Sequence, residues 1–169
     1  MKSRKITFSA IIAALSLIFL YGAFLVPSGK IALYAIASVC LAAVVIECGS
    51  KTALLCYMAI SLLAFFLIPD KSFVLPFILF FGYYPILKSG LERTIKNRVG
   101  EYLAKLLVGN IAFFLIFFII KTLFVAALAK TSLLILWVGA NLVFVLYDVA
   151  FSMIIEFYNT RIHNKMSFK

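Results

Sequence analysis

An all-α integral membrane protein, a compact bundle of six transmembrane helices, is the fold this sequence predicts, and two observations predict it. Hydrophobic residues make up 66% of the 169 positions and mean hydropathy is +1.17, outside the range of ordinary soluble domains. They gather into six apolar runs, at residues 6–26, 31–46, 52–68, 73–87, 102–124 and 133–157, with hardly a charge deep inside any. Crossing a ~30 Å hydrocarbon core takes about 20 helical residues, with a range of about 17–25. Four runs meet that directly; the second and fourth need their flanking residues. Residues 1–169 therefore read as a single six-helix transmembrane domain with short loops, and energy-driven work would draw on other subunits.

The first run follows Met1-Lys2-Ser3-Arg4-Lys5, a start that also suits a signal peptide. The run is longer than the apolar part of such a peptide and lacks a small-x-small cleavage site, so it reads as a retained helix. Ala10 and Ala14 stand four apart on one face of it, and Ser9 and Ala13 repeat the spacing. Small side chains admit a close neighbour, either within the bundle or from a partner. Pro27-Ser28-Gly29-Lys30 ends this helix and turns the chain. The second run has its own small stripe, Ala35, Ser38 and Ala42, expected to pack internally. Glu47-Cys48-Gly49-Ser50-Lys51 turns into the third run, and Ile68-Pro69-Asp70-Lys71-Ser72 into the fourth, with Ser72 its expected cap.

The fourth run carries Phe80-Phe81-Gly82-Tyr83-Tyr84-Pro85. Pro85 removes a backbone donor and is expected to kink the helix, while Gly82 lets a neighbour approach. Its tyrosines read either as an interfacial aromatic belt or as groups presented at a bend. Residues 88–101 interleave Arg93, Lys96 and Arg98 with Leu91, Ile95 and Val99. Spacing by four predicts one apolar stripe, hence a segment lying along the membrane surface as a lipid anchor or a partner-docking face.

Alternating spans put the N-terminus, the second and fourth loops and the C-terminus on one side. That side holds twelve cations (Lys2, Arg4, Lys5, Lys51, Lys88, Arg93, Lys96, Arg98, Lys105, Arg161, Lys165 and Lys169) against four on the other (Lys30, Lys71, Lys121 and Lys130). The asymmetry predicts that both termini are cytoplasmic. The net charge of +10 is then a topology signal with some attraction to anionic lipid, and nucleic acid is not an expected partner. Cys40, Cys48 and Cys56 form no C-x-x-C pair and His163 is the only histidine, so no metal site, cofactor or histidine chemistry is expected. No carboxylate pair, serine–histidine set or nucleotide loop marks an enzyme.

Asp148 is the clearest ionisable residue within a run, about nine residues or ~13 Å from the end of the last helix. A charge at such depth needs a partner. Lys105 on the antiparallel fifth helix is the expected one, with Asn110 bonding to either, in a structural or a coupling role. Glu47, Glu92, Glu101 and Glu156 are expected near the boundary, solvated and paired with Lys51, Lys88 or Arg93. At the opposite ends of the helices Tyr21, Tyr34, Trp137 and Asn141 gather with Lys30 above them. That composition serves both a small-molecule pocket and an aromatic belt.

Length, six spans, the basic Lys2-Ser3-Arg4-Lys5 start and Ala10-x-x-x-Ala14 together give a chain that resembles the substrate-binding S components of energy-coupling factor (ECF) transporters. The resemblance implies a non-enzymatic binder of a vitamin-like small molecule in the bacterial cell membrane. It also implies a coupling transmembrane subunit and two ATPase subunits as partners, with Ala10 and Ala14 facing the coupling subunit. Substrate would enter between the outer ends of the helices, at Tyr21, Lys30, Tyr34, Trp137 and Asn141. A structural scaffold resembling the rod-shape-determining membrane proteins is the competing reading, with Arg93, Lys96 and Arg98 recruiting cytoplasmic partners.

Overall fold

The described part of each apolar run is mainly helical. The computed structural model describes residues 2–95, 97–123, 133–158 and 160. Lys96, the α5–α6 connection and the basic tail from Arg161 lie outside them. In chain order the helices are α1 (Lys2–Leu25), α2 (Lys30–Cys48), α3 (Ser50–Leu67), α4 (Tyr84–Thr94), α5 (Arg98–Leu123) and α6 (Leu133–Tyr158). With the 71–83 segment counted into α4, six helical stretches among the described residues are long and apolar enough to cross a membrane. No strand occurs among the described residues. The short second run reaches spanning length by recruiting Lys30 and Glu47-Cys48, as its flanks allowed.

The centre of the bundle is α2, half of whose most apolar stretch is buried (50%), against 11% for α5. Its small residues explain this, because Ala37, Ser38 and Ala42 let α1, α3 and α6 approach closely. On the outside, Ile11, Ile18, Phe66, Leu103, Leu107 and Leu146 are exposed. An apolar exterior of this extent would be an aggregation hazard in water and suits hydrocarbon.

Sulfur contacts fix α1 against the α2–α3 hairpin. The Cys48 thiol donates to the Lys5 carbonyl (3.7 Å) and the Cys56 thiol to the Ser9 carbonyl (3.5 Å). Ser9 is therefore turned inward and Ala13 is partly buried, whereas Ala10 and Ala14 face outward. The Tyr158 hydroxyl donates to the buried Glu47 at 3.3 Å, so the start of α1, the α2–α3 turn and the end of α6 share one end, here the basic end. Glu47 is buried there, not solvated as expected. Both turn glycines adopt positive φ, 80° at Gly29 and 88° at Gly49, where a side chain would strain the turn.

Between α3 and α4 the structure departs from expectation. Asp70, not Ser72, is the cap: its carboxylate accepts from the Ser72 backbone N–H (3.0 Å) and hydroxyl, starting a 3₁₀ turn at Lys71–Phe73. A wide turn follows at Phe77–Phe81, closed by the Gly82 N–H on the Phe77 carbonyl at 2.7 Å. This π-turn takes up the irregularity expected at Pro85. Pro85 instead sits in the first turn of α4, where a missing N–H costs nothing.

Nor is 88–101 one surface helix. α4 ends at Thr94, Ile95 is extended (φ −101°, ψ 107°), and α5 begins at Arg98. Leu91 and Val99 thus belong to different helices and form no common stripe. Lys88, counted above among surface charges, is buried at 2% exposure.

Candidate functional site

Helical spacing builds an ionic network close to the basic end. Tyr84, Lys88 and Glu92 follow at intervals of four along one face of α4; Glu101 and Lys105 do so on α5, and Asp148 and Ser152 on α6. The side chains meet where the three helices converge. Asp148 is 3% exposed, and Lys88 and Lys105 are each 2% exposed. One Asp148 oxygen accepts from both the Lys88 ammonium and the Tyr84 hydroxyl. Lys88 also donates to the Ser152 hydroxyl at 2.7 Å and lies 3.5 Å from Glu92. Lys105 pairs with Glu101 and, at 3.1 Å, with Glu92, and stands 4.0 Å from the second Asp148 oxygen.

Lys88 is therefore the primary partner of Asp148, and Lys105 the secondary one. Asn110 bonds to neither, for a geometric reason. Five residues at ~100° each rotate it about 140° from Lys105 around α5. It faces α6 instead, where its amide donates to Asn141 Oδ1 (3.0 Å) and its oxygen accepts from Trp137 Nε1 (2.6 Å) and Asn141 Nδ2 (3.2 Å).

Aromatic rings surround Tyr84 and Asp148. Tyr84 lies 5.3 Å from the Tyr147 ring and 5.8 Å from those of Phe144 and Phe151, centroid to centroid. The Tyr147 hydroxyl is bonded to Ser38 of α2 at 2.7 Å. Tyr84 is thus neither belt nor presented group; beside Lys88, it is a buried polar contact between α4 and α6. Low-polarity walls strengthen the ion pair and raise the cost of losing either member.

The five residues expected at a ligand site fall into two groups with different neighbours. Tyr34 is buried and donates to the Phe73 carbonyl at 2.8 Å. The Lys30 ammonium lies over the Phe73 ring, 4.2 Å from its centroid. Exposed Tyr21 leans on Phe24, itself 5.6 Å from Phe73, and borders an apolar groove of about 300 Å³ with Leu17, Ile18 and Ala64. Trp137 and Asn141 instead form the Asn110 clamp on α5, beside a void of only about 20 Å³. Of the expected interface residues, Ala10, Ala14 and Arg93 are exposed. Arg98 opens α5, and Lys96 is not among the described residues.

Two roles were missed from sequence, those of Lys88 and Tyr84. The available signal was the Tyr84–Lys88–Glu92 spacing, which aims three polar groups from one helix face. Among the described residues no group of three His, Cys, Asp or Glu side chains is placed to hold a metal ion.

The clamp carries its own prediction. Asn110→Leu removes the shared acceptor of Trp137 and Asn141; at ~0.6 kcal/mol per such bond within a membrane bundle, the expected loss is about 1–2 kcal/mol. A lower Tm in detergent, with a shifted emission from Trp137, the sole tryptophan, would report it.

No family model, curated protein or solved structure matches this chain. Fold and network define a class alone: among the described residues, six helical candidate membrane spans and a buried ionic cluster joining the last three.

Proposed function

We propose that the chain is the substrate-binding S component of an ECF-type uptake transporter, taking a vitamin-like small molecule at the face opposite the basic end. It resides in a bacterial cell membrane with both termini cytoplasmic, following the cation asymmetry. Its partners are a coupling transmembrane subunit and two ATPase subunits, and its role is capture and reorientation, with no chemistry of its own. The observation that carries the reading is the outward face of α1. Ser9 and Ala13 serve the bundle, whereas Ala10 and Ala14 are left uncovered, a small-residue surface fit for another helix. Lys30 over the Phe73 ring and exposed Tyr21 against Phe24 supply polar and aromatic groups for ligand contact at the far end, while buried Tyr34 holds Phe73 by its carbonyl.

Affinity purification from the native membrane tests this. The expected result is co-purification of two ATPases, a coupling subunit and a bound small molecule. Ala10→Trp with Ala14→Trp should cut subunit recovery at least tenfold while leaving Tm unchanged, because neither residue packs internally. Recovery of the chain alone and empty would overturn the proposal. The scaffold reading draws on one feature, exposed Arg93 at the end of α4. It expects Arg93→Glu, and not the tryptophan pair, to be the damaging change.

A further inference from the structure

A cavity of about 340 Å³ opens between α2, α4 and α6 beside the ionic network. Its size falls within the ~300–1,000 Å³ typical of small-ligand sites. The lining is divided. Ala42, Val45 and Ile46 of α2 with Ile155 of α6 form an apolar wall, and Lys88, Ser89, Glu92 and Arg93 of α4 line the other side.

The polar groups on that side are not equally available. Lys88 is committed to Asp148 and Ser152, and Glu92 lies 3.5 Å from Lys88 and 3.1 Å from Lys105. Among the described residues, Arg93 has no acidic partner and the Ser89 hydroxyl no hydrogen bond, so two donors one residue-turn apart remain free. Glu92, the one carboxylate in the lining, shares Lys88 and Lys105 with Asp148 and Glu101, three carboxylates to two ammoniums, so among the described residues Arg93 is the one cation on this side left for a ligand. Free donors on one side call for an anionic oxygen group, and the apolar wall calls for hydrocarbon attached to it.

We infer that this cavity is a binding site for the headgroup phosphate of an anionic phospholipid, held by Arg93 and Ser89 with its chains along the Ala42–Ile46 wall. The guanidinium takes two phosphate oxygens side by side, and the site's place between helices at the basic end is where anionic headgroups lie. The inference needs the chain in a bilayer with that end at the surface, and it is independent of any transport partner.

The test is binding of dioleoylphosphatidylglycerol in neutral micelles to the purified full chain, against dioleoylphosphatidylcholine and inorganic phosphate. Phosphatidylglycerol should bind more tightly than phosphatidylcholine. Arg93→Ala should weaken it about fivefold, the usual worth of one cation near anionic lipid. Ile46→Trp, which fills the wall without changing charge, should weaken it at least as much. Lys51→Ala, an exposed cation at the same end, should leave it unchanged, and Tm checks that each variant folds. Three results would overturn the inference: equal weakening by Lys51→Ala (diffuse surface charge), inorganic phosphate binding that ignores Ile46→Trp (a free-anion site), or indifference to Arg93→Ala.

Discussion

Asp148→Leu should be among the most damaging single substitutions in this chain, and adding Lys88→Met should rescue it. Removing the carboxylate strands an ammonium that is 2% exposed. Breaking a buried pair from one side typically costs about 3–5 kcal/mol. The lower end applies, because Glu92 remains 3.5 Å from Lys88 as a substitute counter-ion. Lys88→Met alone should cost a similar amount, leaving Asp148 with Lys105 at 4.0 Å. The double variant removes both charges and keeps the volume, and such apolar replacements are commonly neutral or better. One debt remains, the Tyr84 hydroxyl without its acceptor, worth about 1–3 kcal/mol; Tyr84→Phe on the double variant should remove it. Unfolding midpoints in detergent give the cycle. A double variant as poor as the sum of the singles would show that the two charges are energetically independent.

That cycle also isolates what the sequence could and could not convey. Hydropathy gives depth along a helix, and it located Asp148 within the last apolar run. It does not give azimuth, the direction a side chain faces around the axis, and partner choice depends on azimuth. Lys105 and Lys88 lie at comparable depth; α4 turns Lys88 toward α6, while α5 turns Lys105 toward Glu92 and Glu101. The same blindness let Lys88 pass as a surface charge, and it joined Leu91, Ile95 and Val99 into a stripe that the α4–α5 reversal divides. Helix number and the turns at Gly29 and Gly49 were legible because length, charge and glycine act locally. The π-turn was not, since nothing in an apolar run distinguishes a bond to the fifth residue from one to the fourth. On the far side, aromatic composition is shared by pockets and by packing, and only coordinates show Tyr34 bonded to a backbone carbonyl and Trp137 to Asn110.

Gly82→Ala is the second large effect expected, and it follows from that π-turn. A Cβ at Gly82 would lie 2.5 Å and 2.6 Å from two ring carbons of Tyr57 and 2.9 Å from the Phe77 carbonyl oxygen. The carbonyl belongs to the backbone of the π-turn, which accepts the Gly82 N–H, so it yields little. The ring is hardly freer, because the Tyr57 hydroxyl donates to the Ile78 carbonyl at 2.7 Å, within the same turn. Overpacking of this kind costs about 1–3 kcal/mol. Swinging the ring away forfeits a hydrogen bond worth about 1 kcal/mol. Against this, alanine's better helix propensity returns only about 0.5–1 kcal/mol. A net loss of about 2 kcal/mol in detergent unfolding is expected. Tyr57→Phe separates the terms: it unpins the ring, so Tyr57→Phe with Gly82→Ala should cost less than the two single losses added together. If the losses add, the hydroxyl is not what holds the ring against Gly82, and the backbone contact with Phe77 carries the whole penalty.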